Sequence, residues 1–151
     1  MPAPYTGRCL CGSIRFRVTE EPLTVYACHC TDCQKRSGSA FILSVWVNYR
    51  AIEATEGEPV QHETATEDGR VRNLRMCPRC VSQLWAEPRP GSHIAVVRGG
   101  TLDDAGALRP IAHLWTRSAQ PWFPFPDGST RYETQPNNLL ELVALWRDRQ
   151  Q

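Results

Sequence analysis

The amino-acid sequence predicts a mainly β fold of antiparallel sheets, with short loops and one helix at the C-terminus. Apolar and polar residues alternate at several places in the first two thirds of the chain, the pattern of strands that bury one face. Twelve prolines and ten glycines in 151 residues favour many short elements separated by turns. No linker, repeat or low-complexity segment divides the chain, so we expect a single domain over residues 1–151.

The predicted strands run from residue 14 to residue 115. In the first, Ile14, Phe16 and Val18 alternate with polar neighbours. A run at 41–47 is rich in β-branched and aromatic residues, which predicts a largely buried strand. The segment Glu67-Asp68-Gly69-Arg70 separates two strand patterns and predicts a hairpin. The other predicted strands lie at 23–27, 60–66, 71–76, 84–86, 94–97 and 111–115.

Helical spacing is clear in one segment, residues 138–147. Leu139, Leu142, Val143 and Trp146 fall on one face of a helix, which predicts that this face packs on the sheet. Asn137 is the predicted N-cap.

Charge and hydropathy limit the classes of partner. Seventeen basic and sixteen acidic side chains give a formal net charge of +1, without the basic excess of a nucleic-acid-binding domain. No apolar run approaches the ~20 residues of a membrane helix, and the first residues lack the regions of a signal peptide. We therefore expect a cytoplasmic protein that binds neither nucleic acid nor membrane.

Seven cysteines are the unusual feature of the composition. They fall in three tight groups: Cys9-x-Cys11, Cys28-x-Cys30-x-x-Cys33 and Cys77-x-x-Cys80. An odd number in a cytoplasmic chain argues against a disulfide framework. Isolated buried thiols would not cluster in this way, so the grouping favours shared metal ions.

The spacing suits tetrahedral zinc. Residues i and i+2 of an extended segment point to one side, and a C-x-x-C turn also directs two sulfurs to one point. Zinc takes four ligands in a closed structural site, and three plus an open position in a reactive one. Seven thiolates therefore predict two zinc ions, one of each kind. An iron–sulfur cluster is the alternative, disfavoured because no dense ferredoxin-type cysteine run is present.

The spacing leaves two divisions of the cysteines open. The two C-x-x-C turns could form a zinc ribbon from Cys30, Cys33, Cys77 and Cys80. Alternatively, the middle group stays together as the open site and the outer two groups combine. The second division is simpler, because a contiguous group of three can close on one ion without distant help.

The cysteines lie in longer sequence motifs. These are Gly7-Arg8-Cys9-Leu10-Cys11-Gly12, Cys28-His29-Cys30-Thr31-Asp32-Cys33 and Cys77-Pro78-Arg79-Cys80 with Leu84. Weaker motifs are Gly100-Thr101-Leu102-Asp103 and Pro121-Trp122. Together they resemble the glutathione-dependent formaldehyde-activating enzyme family, which includes centromere-protein-V-like domains. The resemblance runs from about Gly7 to about Tyr132.

The resemblance implies a zinc β-tent fold and a division of the cysteines. Its structural zinc would lie on Cys9, Cys11, Cys77 and Cys80, and its second zinc on Cys28, Cys30 and Cys33, near which glutathione binds. Two residues depart from the family pattern. Val81 stands where the family commonly has glycine, and it is strained if that position takes a positive φ. Gln34 stands where the family commonly has arginine.

The implied activity is that of a carbon–sulfur lyase, which forms S-hydroxymethylglutathione from glutathione and formaldehyde. A thiol that enters the open zinc position loses its proton and becomes the nucleophile. Lys35 and Arg36 are candidate contacts for glutathione carboxylates, and His29 is expected to point away from the zinc. The alternatives are a non-catalytic zinc- and thiol-binding or carrier module, and a redox or electrophile sensor.

Overall fold

A computed structural model of the chain describes residues 2–149. Over this range it contains eleven strands in two sheets and two α-helices, which confirms the predicted mainly β fold. The strands are β1 (Tyr5–Arg8), β2 (Arg15–Val18), β3 (Thr24–Cys28), β4 (Ile42–Asn48), β5 (Ile52–Glu56), β6 (Val60–Ala65), β7 (Val71–Met76), β8 (Gln83–Glu87), β9 (Ile94–Arg98), β10 (Ala112–Leu114) and β11 (Thr130–Arg131). The helices are α1 (Thr31–Ser37) and α2 (Leu140–Arg149).

The contacts divide the chain into two compact units. The first takes in the chain up to Pro22 together with Val45–Leu108, and the second takes in Leu23–Ser44 and the chain from Arg109 onward. Each unit is described by itself below. The single domain expected over residues 1–151 stays a prediction.

The first unit contains the antiparallel sheet β1-β2-β5. Ile14, Phe16 and Val18 of the alternating pattern are buried, and the last two lie in β2, so the predicted strand is confirmed. Gly7 lies against this core, and a Cβ there would overlap the Phe16 ring and the carbonyl oxygen of Thr101. Only a glycine therefore allows β1 to lie this close to Phe16.

The strands β6 to β9 of the first unit pair with their neighbours in chain order, all antiparallel. Ala65 pairs with Val71 across the predicted hairpin, and Gly69 in its turn has a φ of 83°. The hairpin predicted from Asp68-Gly69 is thus confirmed. The ring centroids of Trp85 and Phe16 lie 5.6 Å apart inside this unit.

The second unit contains parallel pairing, an exception to the mainly antiparallel arrangement that the sequence predicts. β10 pairs in parallel with β3, with Ala112 opposite Tyr26, and in parallel with β11. Parallel neighbours need a long crossover, and residues 29–111 connect β3 to β10. Local sequence patterns cannot predict the pairing of strands this far apart in the chain.

Helix α2 covers one side of these strands. Leu142 is fully buried against Ala112 and Leu114. The Thr24 hydroxyl donates a hydrogen bond of 2.8 Å to the carbonyl oxygen of Leu142. This buried bond fixes the helix on β3, because an unpaired carbonyl or hydroxyl there would lose its hydration without compensation.

Some element boundaries differ from the prediction. Asn138, not Asn137, caps α2, since its side-chain oxygen accepts a 3.0 Å hydrogen bond from the Leu140 amide. The pattern also missed β1, β5, β11 and the seven-residue α1, which are too short or too exposed to show a clear period. Neither described helix has the length and apolar character needed to span a membrane.

Replacement of Leu142 by alanine tests the packing of α2. We expect Leu142→Ala to lower the free energy of unfolding by about 2–5 kcal/mol, because it leaves a cavity in the core. Leu140→Ala is the matched control, since Leu140 lies in the same helix but is 68% exposed. That variant is expected to change stability by less than about 0.5 kcal/mol in urea unfolding. Similar losses in both variants would contradict the packing.

Candidate metal centres

Two tight turns of the first unit carry four of the cysteines. Cys9 and Cys11 follow β1, and Cys77 and Cys80 follow β7. Backbone hydrogen bonds of 3.1 Å from Cys9 N–H to Ile14 O and of 3.0 Å from Cys77 N–H to Ser82 O close the turns. The backbone of each turn therefore holds a pair of thiols on a rigid base.

The four sulfur atoms form a compact group, which we call the four-cysteine cluster: Cys9, Cys11, Cys77 and Cys80. All lie within 4.8 Å of one another. The Sγ atoms are 3.6 Å apart for Cys9 and Cys11, and 3.8 Å apart for Cys11 and Cys77. A tetrahedral ion with sulfur ligands at ~2.3 Å requires sulfurs about 3.8 Å apart. The four thiols thus fit a tetrahedral metal.

Hydrogen-bond donors surround the same sulfurs. The Ile14 amide donates to Cys9 Sγ at 3.3 Å, and the Arg79 amide to Cys77 Sγ at 3.4 Å. The Ser82 hydroxyl lies 3.1 Å from Cys80 Sγ, and with backbone amides it lowers the pKa of Cys80 to about 5. These donors favour thiolates, the form that binds metal.

Ser13 and Ser82 are site residues that sequence reasoning missed. The Ser13 hydroxyl lies 3.1 Å from Cys11 Sγ and 3.3 Å from Cys77 Sγ. Ser82 also accepts a 3.1 Å hydrogen bond from the Leu10 amide, so it joins the two turns. The signal was present in the sequence, because each serine stands two positions after a cysteine.

The other three thiols meet in the second unit, and we call them the three-cysteine cluster: Cys28, Cys30 and Cys33. Cys28 ends β3, Cys30 is the N-cap of α1, and Cys33 lies in the first turn of that helix. Their sulfurs lie within 4.8 Å of one another, and no further cysteine, histidine or carboxylate of the described residues joins the group. The Cys33 amide donates to Cys30 Sγ at 3.3 Å.

Charge in this cluster is concentrated on one sulfur. Hydrogen bonds from the Cys28 and Cys33 thiols lower the pKa of Cys30 to about 2. The same contacts, with burial, raise the pKa of Cys28. Adjacent thiolates repel one another, so all three thiols could ionise together only around a cation. This donor set therefore also fits a metal ion.

These two clusters correspond to the second division of the cysteines considered above. A sequence profile described as glutathione-dependent formaldehyde-activating enzyme matches residues 4–118, which include all seven cysteines. The chain belongs to this family. The resemblance proposed from the cysteine motifs is thereby confirmed.

A structural comparison agrees on the fold. A crystal structure of a Rhodobacter sphaeroides protein is similar to this chain, with a TM-score of 0.51 and 17% sequence identity. The match covers 66% of this chain and 88% of that one. At this identity the likeness shows the fold alone. No curated protein matches the sequence.

Gln34, where the family commonly has arginine, is tied into the second unit. Its side-chain nitrogen donates hydrogen bonds of 2.8 Å to the carbonyl oxygens of His29 and Ser118. Its side-chain oxygen accepts a 2.6 Å hydrogen bond from Gln120. Gln34 therefore joins α1 to the 118–120 loop and fixes the backbone between Cys28 and Cys30.

His29 points into an aromatic cluster, as expected for a residue between two alternating ligands. Its Nε2 lies 2.9 Å from Nδ1 of His113, and the rings of Phe41, Phe123 and Phe125 surround it. Burial, with the charge of His113, lowers the pKa of His29 to about 4. The pairing with His113 was missed, because 84 positions separate the two residues.

Lys35 and Arg36 lie in the last turn of α1, on the helix that carries Cys33. Lys35 is exposed and Arg36 is half-buried. Their contact with a glutathione carboxylate stays a prediction.

Val81 has a φ of 54° and lies in the turn of Cys77 and Cys80. Its side chain is 67% exposed, so little packing compensates a left-handed backbone that costs a β-branched residue ~1–3 kcal/mol. We expect Val81→Gly to raise the free energy of unfolding by about 1 kcal/mol, after the entropy cost of glycine. Val60→Gly is the control, an exposed valine in the extended strand β6 that should be destabilised. Destabilisation of both in thermal unfolding would contradict strain at Val81.

The depressed pKa of His29 predicts a pH dependence. An unfolded histidine takes up its proton near pH ~6.5, whereas His29 in the fold stays neutral down to about 4. The neutral ring therefore contributes fully to the free energy of unfolding above pH ~6.5, and this contribution is lost as the pH falls towards 4. The expected loss between pH 7 and pH 5 is about 2 kcal/mol.

Urea unfolding at pH 7 and pH 5 measures this loss. In His29→Phe the difference between the two pH values should shrink by about 1–2 kcal/mol. Protonation of the cysteines changes the stability of the unsubstituted protein and of His29→Phe alike, so its effect cancels when the two proteins are compared. Equal differences in the two proteins would count against a neutral, buried His29.

Proposed function

We propose that the chain binds two zinc ions, with a structural ion on Cys9, Cys11, Cys77 and Cys80 and a thiol-binding ion on Cys28, Cys30 and Cys33. The separation of the seven thiols into compact groups of four and three supports this assignment. Four thiolates complete a tetrahedron, whereas three leave one position for an added ligand.

The four-cysteine cluster would stabilise the first unit. Its thiols come from two turns, and Cys11 and Cys77 are 66 positions apart in the sequence. Structural zinc contributes ~10–16 kcal/mol of apparent binding energy in peptide systems, comparable with the ~5–15 kcal/mol total stability of a domain. An ion shared by these turns would close a long loop of chain.

The three-cysteine cluster would bind a small thiol, with glutathione indicated by the family description. Zinc bound there would lower the pKa of an incoming thiol and favour its thiolate. β3 and the N-terminus of α1 hold the three protein sulfurs in place, and Gln34 fixes the backbone between them. The position left open by the protein ligands would then be oriented before the thiol arrives.

The proposed reaction is the addition of that thiol to formaldehyde. The sulfur forms a bond to the carbonyl carbon, the carbon–oxygen double bond becomes single, and the oxygen takes a proton, which gives S-hydroxymethylglutathione. His29 is assigned a structural role, because its ring lies against His113 and phenylalanines. Gln34 is neutral and fully hydrogen-bonded, which leaves Lys35 and Arg36 as the proposed carboxylate contacts.

Glutathione analogues test the thiol site. Glutathione should raise the melting temperature, because a ligand at a hundred times its dissociation constant stabilises by about 2.7 kcal/mol. S-methylglutathione keeps every carboxylate and amide but offers no thiolate, so its shift should be much smaller. Cys30→Ser should lose the glutathione shift. An equal shift with both analogues would refute thiolate binding.

Steady-state kinetics separates the proposed lyase from a thiol-binding module. Formaldehyde and glutathione combine without help, so the measured quantity is adduct formation above the uncatalysed rate at low protein concentration. Enzyme-dependent acceleration, lost in Cys30→Ser, supports the lyase. A background rate together with an intact glutathione shift would favour the non-catalytic module.

Two cysteine variants should differ in stability and zinc content. Cys77 is fully buried in the four-cysteine cluster, so Cys77→Ser is expected to give unfolded or insoluble protein. Cys30 belongs to the local cluster, so Cys30→Ser should stay folded and retain one zinc ion per chain. The measurements are solubility, circular dichroism and metal analysis. The same behaviour in both variants would contradict the proposed division of roles.

A further inference from the structure

The second unit contains a cavity of about 630 Å³ whose lining includes none of the cysteines. This volume lies within the range of ~300–1,000 Å³ typical of small-molecule sites. The lining comes from β3, β10 and α2 and from the loop before β11.

Much of the cavity wall is apolar. Phe41, Ile111, Phe123 and Leu145 line it, and each is half-buried in the absence of a ligand. Phe123 also packs against Phe41 and His113, with centroid distances of 5.5 and 5.7 Å. The wall is therefore held in place by aromatic contacts, and it favours a ligand with an apolar body.

His113 provides a hydrogen-bond donor in this wall. Its Nδ1 is used by Nε2 of His29, while Nδ1 of His29 is buried with no hydrogen-bond partner among the described residues. If His113 donated, His29 would carry a buried, unpaired N–H group, the costlier of the two arrangements. His29 therefore donates to His113, and His113, which lines the cavity, carries its proton on Nε2, free of the contact with His29.

Two arginines place positive charge at the same cavity. Arg149 donates a 2.7 Å hydrogen bond to the carbonyl oxygen of Arg109, and its guanidinium carbon lies 5.4 Å from the Trp146 ring centroid. This anchoring limits the freedom that Arg149 would lose on binding an anion. Arg109 and Asp127 also line the cavity. Two cations and one carboxylate leave an excess of one positive charge.

We infer that this cavity binds a small organic monocarboxylate with an apolar body. The carboxylate would accept hydrogen bonds from His113 Nε2–H and an arginine, and the apolar body would lie against Phe41, Phe123 and Leu145. An amine is disfavoured by the excess positive charge, and a purely polar ligand by the aromatic wall. This inference is independent of the proposed thiol chemistry.

Binding of 3-phenylpropionate and of its uncharged analogue 3-phenylpropionamide to the full-length, zinc-loaded chain tests the inference. In isothermal titration calorimetry the carboxylate should bind about ten-fold more tightly, because the amide cannot form charge-assisted hydrogen bonds. Arg149→Gln should remove most of this difference. Arg147→Gln is the matched control, an exposed arginine of the same helix outside the cavity lining, and should retain it.

Two more variants locate the site. Leu145→Trp should fill the cavity and abolish binding of both probes, whereas Cys30→Ser should leave carboxylate binding unchanged. Long-range ¹⁵N–¹H spectra of the histidine rings should show a proton on Nε2 of His113. Equal affinity for amide and carboxylate, loss of binding in Cys30→Ser, or displacement of the probe by glutathione would overturn the assignment.

Discussion

The first unit depends on the meeting of two cysteine turns that are far apart in the chain. Cys11 and Cys77 are 66 positions apart, yet their sulfurs lie 3.8 Å from each other. Thiols this close repel once they ionise, and the surrounding amide and hydroxyl donors favour ionisation. A cation among them would resolve this conflict, so under the proposed function the arrangement of β1, β2 and β7 is coupled to metal binding by these turns.

The three-cysteine cluster is constructed differently, from contiguous residues. Its position depends on hydrogen bonds that hold the His29 carbonyl oxygen, to which both Gln34 and Ser118 donate. The His29 ring itself packs among aromatic side chains and forms a hydrogen bond with His113. The cluster thus lies on a rigid base, which the proposed capture of an external thiol requires.

Local sequence patterns predicted much of the fold and of the candidate site. Alternation identified β2, and the Asp-Gly turn identified the β6–β7 hairpin, because both are set by neighbouring residues. Cysteine spacing limited the divisions to two, and the family resemblance selected between them. The parallel pairing of β10 and the His29–His113 contact depend on residues far apart in sequence, which no local pattern contains. α1 was missed because seven residues are too few to establish a helical period.

Zinc K-edge X-ray absorption of the purified chain, before and after addition of glutathione, is the most direct measurement of the two-site arrangement. Seven thiolates shared by two zinc ions give an average of 3.5 sulfur ligands per zinc, at ~2.3 Å, with a lighter atom at the open position. Glutathione should raise this average to four and remove the lighter scatterer. An average of four sulfurs before glutathione, or a spectrum that glutathione does not change, would contradict the account.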